Sequence, residues 1–123
     1  MVILYHGTSK ENALSITQNG FSLDRSGDNW GNTYGKGVYF SKQLEDAIVY
    51  AGNDGVVLMC DLYVKGFHLN RDYSPTERYD RREIKKLIHG LTDYNCLISR
   101  DQSEYIFFGM IPRCTIIVRR VTT

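Results

Sequence analysis

Two tyrosines in one glycine-rich stretch have the chemistry and the spacing to hold a flat ligand. The stretch reads GNTYGKGVYFSKQLEDAIVYA from Gly31 to Ala51, and the two residues are Tyr39 and Tyr50. We expect Tyr39 in a short strand and Tyr50 on the next helix, which would bring both phenols to one pocket if the helix folds back on the strand. Two facing rings form a slot for an aromatic ligand, and a cationic ligand gains further from the ring faces. Periodicity alone favours a plainer interpretation, in which both tyrosines are half-buried core residues.

The glycines of this stretch do not match the known phosphate-binding loops. No Lys-Ser or Lys-Thr pair follows them into a helix, and they precede a strand instead of opening a helix after one. They indicate close backbone approach or a positive φ, and not phosphate capture in particular.

The elements that must position these side chains follow from apolar patterning and helix-end signals. Six strands are predicted from apolar runs rich in β-branched and aromatic residues: Val2–Tyr5, Val38–Phe40, Gly55–Val64, Tyr94–Ser99, Glu104–Phe108 and Cys114–Val121. Three helices are predicted, with N-caps at Thr8, Ser41 and Ser74, the first and third ending at Gly20 and Gly90. This order predicts an α+β fold with split, largely antiparallel β-sheets and about three helices. The length, with no repeat or linker, predicts a single domain over residues 1–123.

The composition is that of an ordinary globular protein and excludes several classes of function. A net charge of +1 gives no global attraction to nucleic acid or to acidic membranes. No run resembles a signal peptide or a membrane span, so we expect a cytoplasmic protein, and a monomer. The three cysteines lie in apolar, strand-like runs and are expected to be buried. The three histidines are too scattered for a metal centre, so no metal is expected.

Three motifs, in the same order along the chain, resemble those of a known enzyme family. They are YHGTS at Tyr5–Ser9, YGKGVYFS with a following A..YA at Tyr34–Ala51, and SEYIFF at Ser103–Phe108. The chain is similar in these motifs to the diphtheria-toxin-like ADP-ribosyltransferases. Within them it resembles the poly(ADP-ribose) polymerase catalytic domains of the histidine-tyrosine-glutamate type, and we expect a minimal stand-alone domain of that kind.

The resemblance implies a site for NAD, used as a co-substrate without a metal. It implies that His6 hydrogen-bonds the adenosine-side ribose and that Gly7 holds the nicotinamide carboxamide through its backbone. Thr8 would neighbour the ribose or the carboxamide. Tyr39 and Tyr50 would enclose the nicotinamide ring, which is cationic in NAD and therefore suits the slot described above.

The resemblance also implies that Glu104 is the catalytic carboxylate. Breaking the bond between nicotinamide and ribose leaves positive charge on the sugar, and a carboxylate near its 2′-hydroxyl stabilises that charge. Without the motif, Glu104 would be interpreted as a solvated charge at the start of a strand. Gln102 matches, more loosely, a position that orients the acceptor in toxin relatives, and the alternative is an ordinary exposed amide.

Two features depart from the family's usual pattern. Ala47 stands three residues before Tyr50, where the family usually has a serine whose hydroxyl meets the carboxamide. One hydrogen bond is worth about 0.5–1.5 kcal/mol, so weaker NAD binding is expected. The segment before Glu104, SRDQ, is shorter than in members that extend a polymer, which favours transfer of a single ADP-ribose.

The sequence therefore predicts a mono-ADP-ribosyltransferase that uses NAD and modifies a protein or a nucleic acid. The alternatives are an NAD glycohydrolase, with water as the acceptor, and a non-catalytic module that binds NAD or ADP-ribose. The acceptor is left open.

Trp30, in the loop Ser22–Thr33, could stack on the donor or the acceptor, or pack on the core. A basic run on the third helix, Arg78–Lys86, is either a solvated face or a surface that recruits an acidic protein or a nucleic-acid acceptor.

Overall fold

Three helices and seven strands make up the part of the chain that the computed structural model describes. That part comprises residues 2–21, 37–74 and 76–108, with the backbone of residues 119–121. The elements are β1 (Val2–Thr8), α1 (Lys10–Asn19), β2 (Val38–Ser41), α2 (Leu44–Ala51), β3 (Val56–Leu62), β4 (Gly66–His68), α3 (Arg78–Gly90), β5 (Cys96–Ile98), β6 (Glu104–Phe107) and β7 (Arg119–Val121). The predicted loop with Trp30, and Cys114, lie outside the described residues.

The strands form one sheet in the order β4-β5-β6-β2-β1-β3-β7. Every neighbouring pair is antiparallel except β4 with β5, so the predicted α+β class with a largely antiparallel sheet is confirmed. The sheet nevertheless has a narrow centre. Strand β1 pairs with β3 over seven positions, but its pairing with β2 consists of the single register pair Tyr5↔Ser41. The predicted split thus corresponds to two half-sheets joined at one point.

Apolar side chains cover both faces of the sheet. The larger cluster includes Leu4, Phe40 and Leu58, and α1 contributes Ala13 and Ile16 to it. The smaller cluster lies on the other face, where the apolar side of α3 packs on Leu97 and Ile106. Alternation along β2 explains this division, since Val38 and Phe40 belong to the first cluster whereas Tyr39 packs against the second.

The helices begin at residues other than the predicted ones. Ser9, and not Thr8, caps α1, because pairing with β3 continues β1 as far as Thr8↔Val56. The Ser9 hydroxyl accepts a hydrogen bond from the backbone N–H of Asn12 at 3.1 Å. Gly20, with φ 80°, ends the helix as predicted.

The two other predicted N-caps are also wrong. Ser41 is a buried residue of β2, and Gln43 precedes α2 without a capping side-chain bond. Ser74 lies before α3, which begins only after Glu77. The Ser74 hydroxyl accepts a hydrogen bond from the Thr76 N–H at 3.4 Å, within a turn that precedes the helix, and the backbone N–H of Ser74 donates to the Asp80 carboxylate at 2.9 Å.

Two further findings concern the strands and the cysteines. Strand β4 was not predicted; it pairs in parallel with β5, through Phe67↔Leu97. Cys60 and Cys96 are buried as predicted, and burial raises the pKa of each thiol to about 12. The longest described helix has 13 residues, and none of the described helices is long and apolar enough to span a bilayer.

Candidate functional site

The side chains of Tyr50 and Glu104 meet although they are 54 residues apart in sequence. Tyr50 lies near the end of α2 and Glu104 is the first residue of β6. The Tyr50 hydroxyl donates a hydrogen bond of 3.0 Å to Oε1 of Glu104. Tyr50 is 62% exposed, so this pair lies where a ligand from solvent can reach it.

The strand register places Tyr39 on the same face as Glu104. Glu104 is paired with Ser41, and Ile106 with Tyr39. Cross-strand partners share a face, and so do residues two apart on a strand. Tyr39 and Glu104 are therefore diagonal neighbours, a relation with a typical separation of about 7–8 Å. The two predicted tyrosines both lie near the predicted carboxylate.

Gly7 lies where α2 approaches β1. A Cβ on Gly7 would lie 2.8 Å from the Ala51 nitrogen and 3.0 Å from the Ala47 carbonyl carbon. Only glycine leaves space for the helix backbone at this distance. Ala47 is fully buried in the same contact. Gly7 thus has a structural role in addition to the predicted backbone contact with a ligand, because it sets how closely the helix carrying Tyr50 approaches the sheet.

His6 joins the two half-sheets beyond their single register pair. Its Nδ1 lies 2.7 Å from the carbonyl oxygen of Tyr39. A carbonyl can only accept, so Nδ1 carries the hydrogen and Nε2 keeps its lone pair. The ring packs edge-on against Phe21 and at a tilt against Phe40. Burial lowers the pKa of His6 below its usual value, and the hydrogen bond to Tyr39 opposes this more weakly, so the ring is neutral at pH 7 and presents an acceptor.

Thr8, also predicted to lie at the site, is the last residue of β1. It pairs with Val56 on β3 and is two positions from His6, which places both on the same face of the strand. That face is opposite to the one that carries Gly7. The pairs Tyr5↔Ser41 and Ser41↔Glu104 place Gly7 on the face of Glu104, so Thr8 lies on the face opposite to Glu104.

A tight turn between β5 and β6 fixes the backbone in front of Glu104. Asp101 accepts hydrogen bonds from the hydroxyls of Ser99 and Ser103, at 2.8 and 2.7 Å, and from the Ser103 N–H at 3.0 Å. Ser99 in turn accepts the Glu104 N–H at 3.0 Å. Gln102 is exposed at the tip of the turn with φ 64°, a left-handed conformation unusual for a residue other than glycine. The turn thus presents Gln102 to solvent two residues before Glu104.

Burial raises the pKa of Glu104 above its usual value. The hydrogen bond from Tyr50 acts in the opposite direction, and the negative charges of Asp101 and Asp46 raise the pKa further. Asp101 itself has a lowered pKa because Ser103 and Ser99 donate to it, so it stays ionised beside Glu104. Glu104 is therefore a carboxyl group that holds a proton more readily than an exposed glutamate does.

Sequence reasoning missed Asp101 and Ser99 as parts of this site. The sequence held a signal for Asp101. An aspartate side chain often accepts the backbone N–H two residues later and so closes a turn, and Ser103 stands at that position. The role of Ser99 depends on β5 lying beside β6, which the sequence does not state. Among the described residues, no group of three or more histidine, cysteine or acidic side chains could hold a metal ion.

Known proteins match most of this chain. The family model described as the poly(ADP-ribose) polymerase catalytic domain matches residues 1–95. The chain is similar to a poly [ADP-ribose] polymerase tankyrase of Caenorhabditis elegans, with 30% identity over 91 residues, covering 63% of this chain and 4% of that protein. It is also similar to the protein mono-ADP-ribosyltransferase PARP10 of Mus musculus, with 49% identity over 47 residues, covering 38% of this chain and 5% of that protein. The chain thus spans a small fraction of the length of these relatives.

Proposed function

The chain belongs to the poly(ADP-ribose) polymerase catalytic domain family, and from this premise we propose that it is a mono-ADP-ribosyltransferase. In this proposal residues 1–123 act as a single catalytic domain that cleaves the nicotinamide–ribose bond of NAD and transfers ADP-ribose to a protein or nucleic-acid acceptor. The observation that carries the proposal is the contact of Tyr50 with Glu104. It joins the second motif to the third, and the family match ends at residue 95, before Glu104 is reached.

The side chains predicted to bind the co-substrate suit the chemistry of NAD. Tyr39 and Tyr50 supply aromatic rings beside Glu104, and a pyridinium ring gains from such faces. His6, neutral and with Nε2 as an acceptor, is suited to a ribose hydroxyl. The site then needs no cationic histidine, which would repel the positive ring.

Glu104 would act on the charge that develops as the bond breaks. The electron pair of the C1′–N bond leaves with nicotinamide, which becomes neutral, and positive charge accumulates on the ribose. The ionised carboxylate stabilises this charge by accepting from the 2′-hydroxyl. The acceptor then bonds to C1′ from the opposite side, and Glu104, with its raised pKa, is a suitable base for the released proton.

The position of Ala47 has a consequence for donor binding. Its side chain is fully buried and has no hydroxyl, so Ala47 offers the carboxamide no side-chain hydrogen bond, and the backbone of Gly7 is the expected contact. We expect NAD to bind more weakly than in a protein with serine at this position, by about 0.5–1.5 kcal/mol, the net value of one hydrogen bond. We expect catalysis to be retained. The short turn of residues 99–104 supports transfer of one ADP-ribose and not chain extension.

The proposal is tested by nicotinamide release from NAD, with the Glu104→Gln variant beside it. Glu11→Gln, an exposed glutamate on α1, is the matched control. Transfer predicts release that needs Glu104, is unaffected in the control, and rises when a protein or nucleic-acid acceptor is added. Release at the same rate without any acceptor would identify a glycohydrolase. NAD binding with no release would leave a non-catalytic binding module and refute the transferase.

A further inference from the structure

Helix α3 carries an excess of basic residues, and none of them belongs to the candidate site described above. Its sequence, RYDRREIKKLIHG, carries five lysines and arginines and two acidic residues, in a chain whose net charge is +1. Both acidic residues are bound by Arg71, which lies outside the helix, at 3.0 Å to Asp80 and 2.6 Å to Glu83. Nearby, Arg100 binds Asp72 at 2.9 Å. Arginines from other segments thus neutralise Asp80, Glu83 and Asp72, while Glu77, just before the helix, forms no ion pair among the described residues.

The basic residues of α3 are left facing solvent. All five are exposed, and within the described part of the chain none of them forms an ion pair: Arg78, Arg81, Arg82, Lys85 and Lys86. Arg78, Arg82 and Lys86 are four residues apart, so they lie in one row with a rise of about 6 Å between them. A row of unpaired cations at this interval suits a ligand with repeated negative charges.

An open groove beside this row is lined by aromatic rings. Its volume is about 790 Å³, and it lies between α3 and the segment containing β4. Lining residues that matter here are Phe67, His68, Tyr73, Tyr79, Arg82 and Lys86. Tyr79 is 73% exposed, and the Arg71 guanidinium lies 3.7 Å from the ring centroid of Tyr73. Glu83, also in the lining, is the carboxylate that Arg71 neutralises.

We propose that this groove binds single-stranded nucleic acid. The phosphates would lie along the row of Arg78, Arg82 and Lys86, and a base would stack on Tyr79. Cations that follow the backbone, with exposed aromatic side chains beside them, are the general means of holding single strands. A duplex hides its base faces and leaves Tyr79 unused, whereas an acidic peptide meets the cations but has no base to stack. The combination of rings and charges therefore favours the single strand.

The groove is on the same side of the sheet as the candidate catalytic site. Tyr39 packs against the apolar cluster that also includes Phe67, Tyr73 and Leu87. Strand β4 is two positions from β6 in the sheet, a separation of about 10 Å at the usual strand spacing. A bound strand would lie beside Glu104. The binding proposal does not depend on transferase activity, however, and is tested without NAD.

The test measures the fluorescence anisotropy of a labelled single strand of about 12 nucleotides, as DNA and as RNA, in a series of salt concentrations. Lys86→Ala should reduce the slope of log K against log salt by about 0.7, the value for one phosphate contact on a single strand. The matched control is Lys10→Ala, an exposed lysine on α1, which packs on the opposite face. The control should leave the slope unchanged.

A second variant tests the stacking contact separately from charge. Tyr79→Ala should weaken binding about 5- to 150-fold with no change in slope, and Tyr79→Phe should restore it. Tyr79 and Lys86 are both exposed, so an unchanged urea midpoint of each variant would show that its fold is intact. Three results would overturn the proposal: no binding of the wild type, equal slopes for Lys86→Ala and Lys10→Ala, or full affinity in Tyr79→Ala. Displacement by poly-glutamate as effective as by unlabelled oligonucleotide would also overturn it, since the surface would then be a general polyanion site.

Discussion

Replacing Gly7 by alanine should push helix α2 away from strand β1. The added Cβ would lie 2.8 Å from the Ala51 nitrogen, and closer still to the Ala47 carbonyl oxygen. Restoring an ordinary contact of 3.4 Å at Ala51 alone requires a shift of about 0.6 Å, and more at Ala47. Both neighbours are backbone atoms, so no change of rotamer can relieve the overlap. Either the helix moves or β1 distorts.

The expected cost is a clear loss of stability. Overpacking of this kind costs about 1–3 kcal/mol, and a contact with rigid backbone belongs in the upper part of that range. Alanine regains about 0.4–1 kcal/mol by restricting the unfolded chain. We therefore expect the free energy of unfolding to fall by about 1–2.5 kcal/mol, measured by urea denaturation with circular dichroism. Gly90→Ala, where nothing lies within 4 Å of the added Cβ, is the matched control and should not lose stability.

The same shift should affect catalysis, because α2 carries Tyr50. A displacement of about 1 Å in a group near the reacting atoms can reduce the rate about 100-fold, so nicotinamide release should fall to that extent. If the only role of Gly7 were to contact a ligand through its backbone, activity would fall while the urea midpoint stayed unchanged. A Gly7→Ala protein with wild-type stability would refute the packing argument.

Three further predictions concern the titrating groups. Tyr50→Phe removes the hydrogen bond that lowers the Glu104 pKa, so the acid limb of the pH–rate profile should move to higher pH. Asp101→Asn removes a negative neighbour that raises the same pKa, so the acid limb should move to lower pH, measured in the same nicotinamide-release assay. The pKa of His6 is below its usual 6.5 when folded, so as the pH falls the unfolded chain binds a proton first and stability decreases below about pH 6.5. His6→Gln should flatten that decrease, measured as the urea midpoint at about pH 7.5 and about pH 5.5.

The first two of these predictions have opposite signs, which makes them a control for each other. A shift in the same direction in both variants would show that the profile reports general damage and not the Glu104 carboxyl group. A ¹³C NMR titration of the Glu104 carboxyl would give the pKa directly, without relying on turnover. For His6, an unchanged pH dependence of stability in the variant would contradict the assignment of a buried, neutral ring.

Most of the elements could be predicted from the sequence, because local patterns specify them. The apolar runs that become β2, β3 and β6, and the helical spacing of α2, were visible without any tertiary information. Gly20 ends α1 as expected because a positive φ is a local requirement that glycine meets. Buried Cys60 and Cys96 follow from the strands that contain them.

Sequence reasoning failed mainly where a distant segment decides the local structure, as at Thr8 and in β4. Thr8 has the side chain of an N-cap, but the ladder with β3 extends as far as Val56 and moves the cap to Ser9. Ser74 fails for a local reason, since its hydroxyl accepts from the Thr76 N–H in a turn and α3 begins only after Glu77. Strand β4 has only three residues and no alternating pattern, so only its parallel pairing with β5 defines it as a strand.

The candidate site divides in the same way. Sequence motifs identified Tyr39, Tyr50 and Glu104 as candidate site residues. The two aromatic rings suit a flat cationic ligand, the carboxylate suits a developing positive charge, and all three lie within motifs that resemble those of a known family. Tertiary structure decided that Tyr50 donates to Glu104 and that Gly7 must lack a side chain. These relations depend on distances between segments far apart in the chain, and such distances are set by how β1, α2 and β6 pack, which no local pattern records.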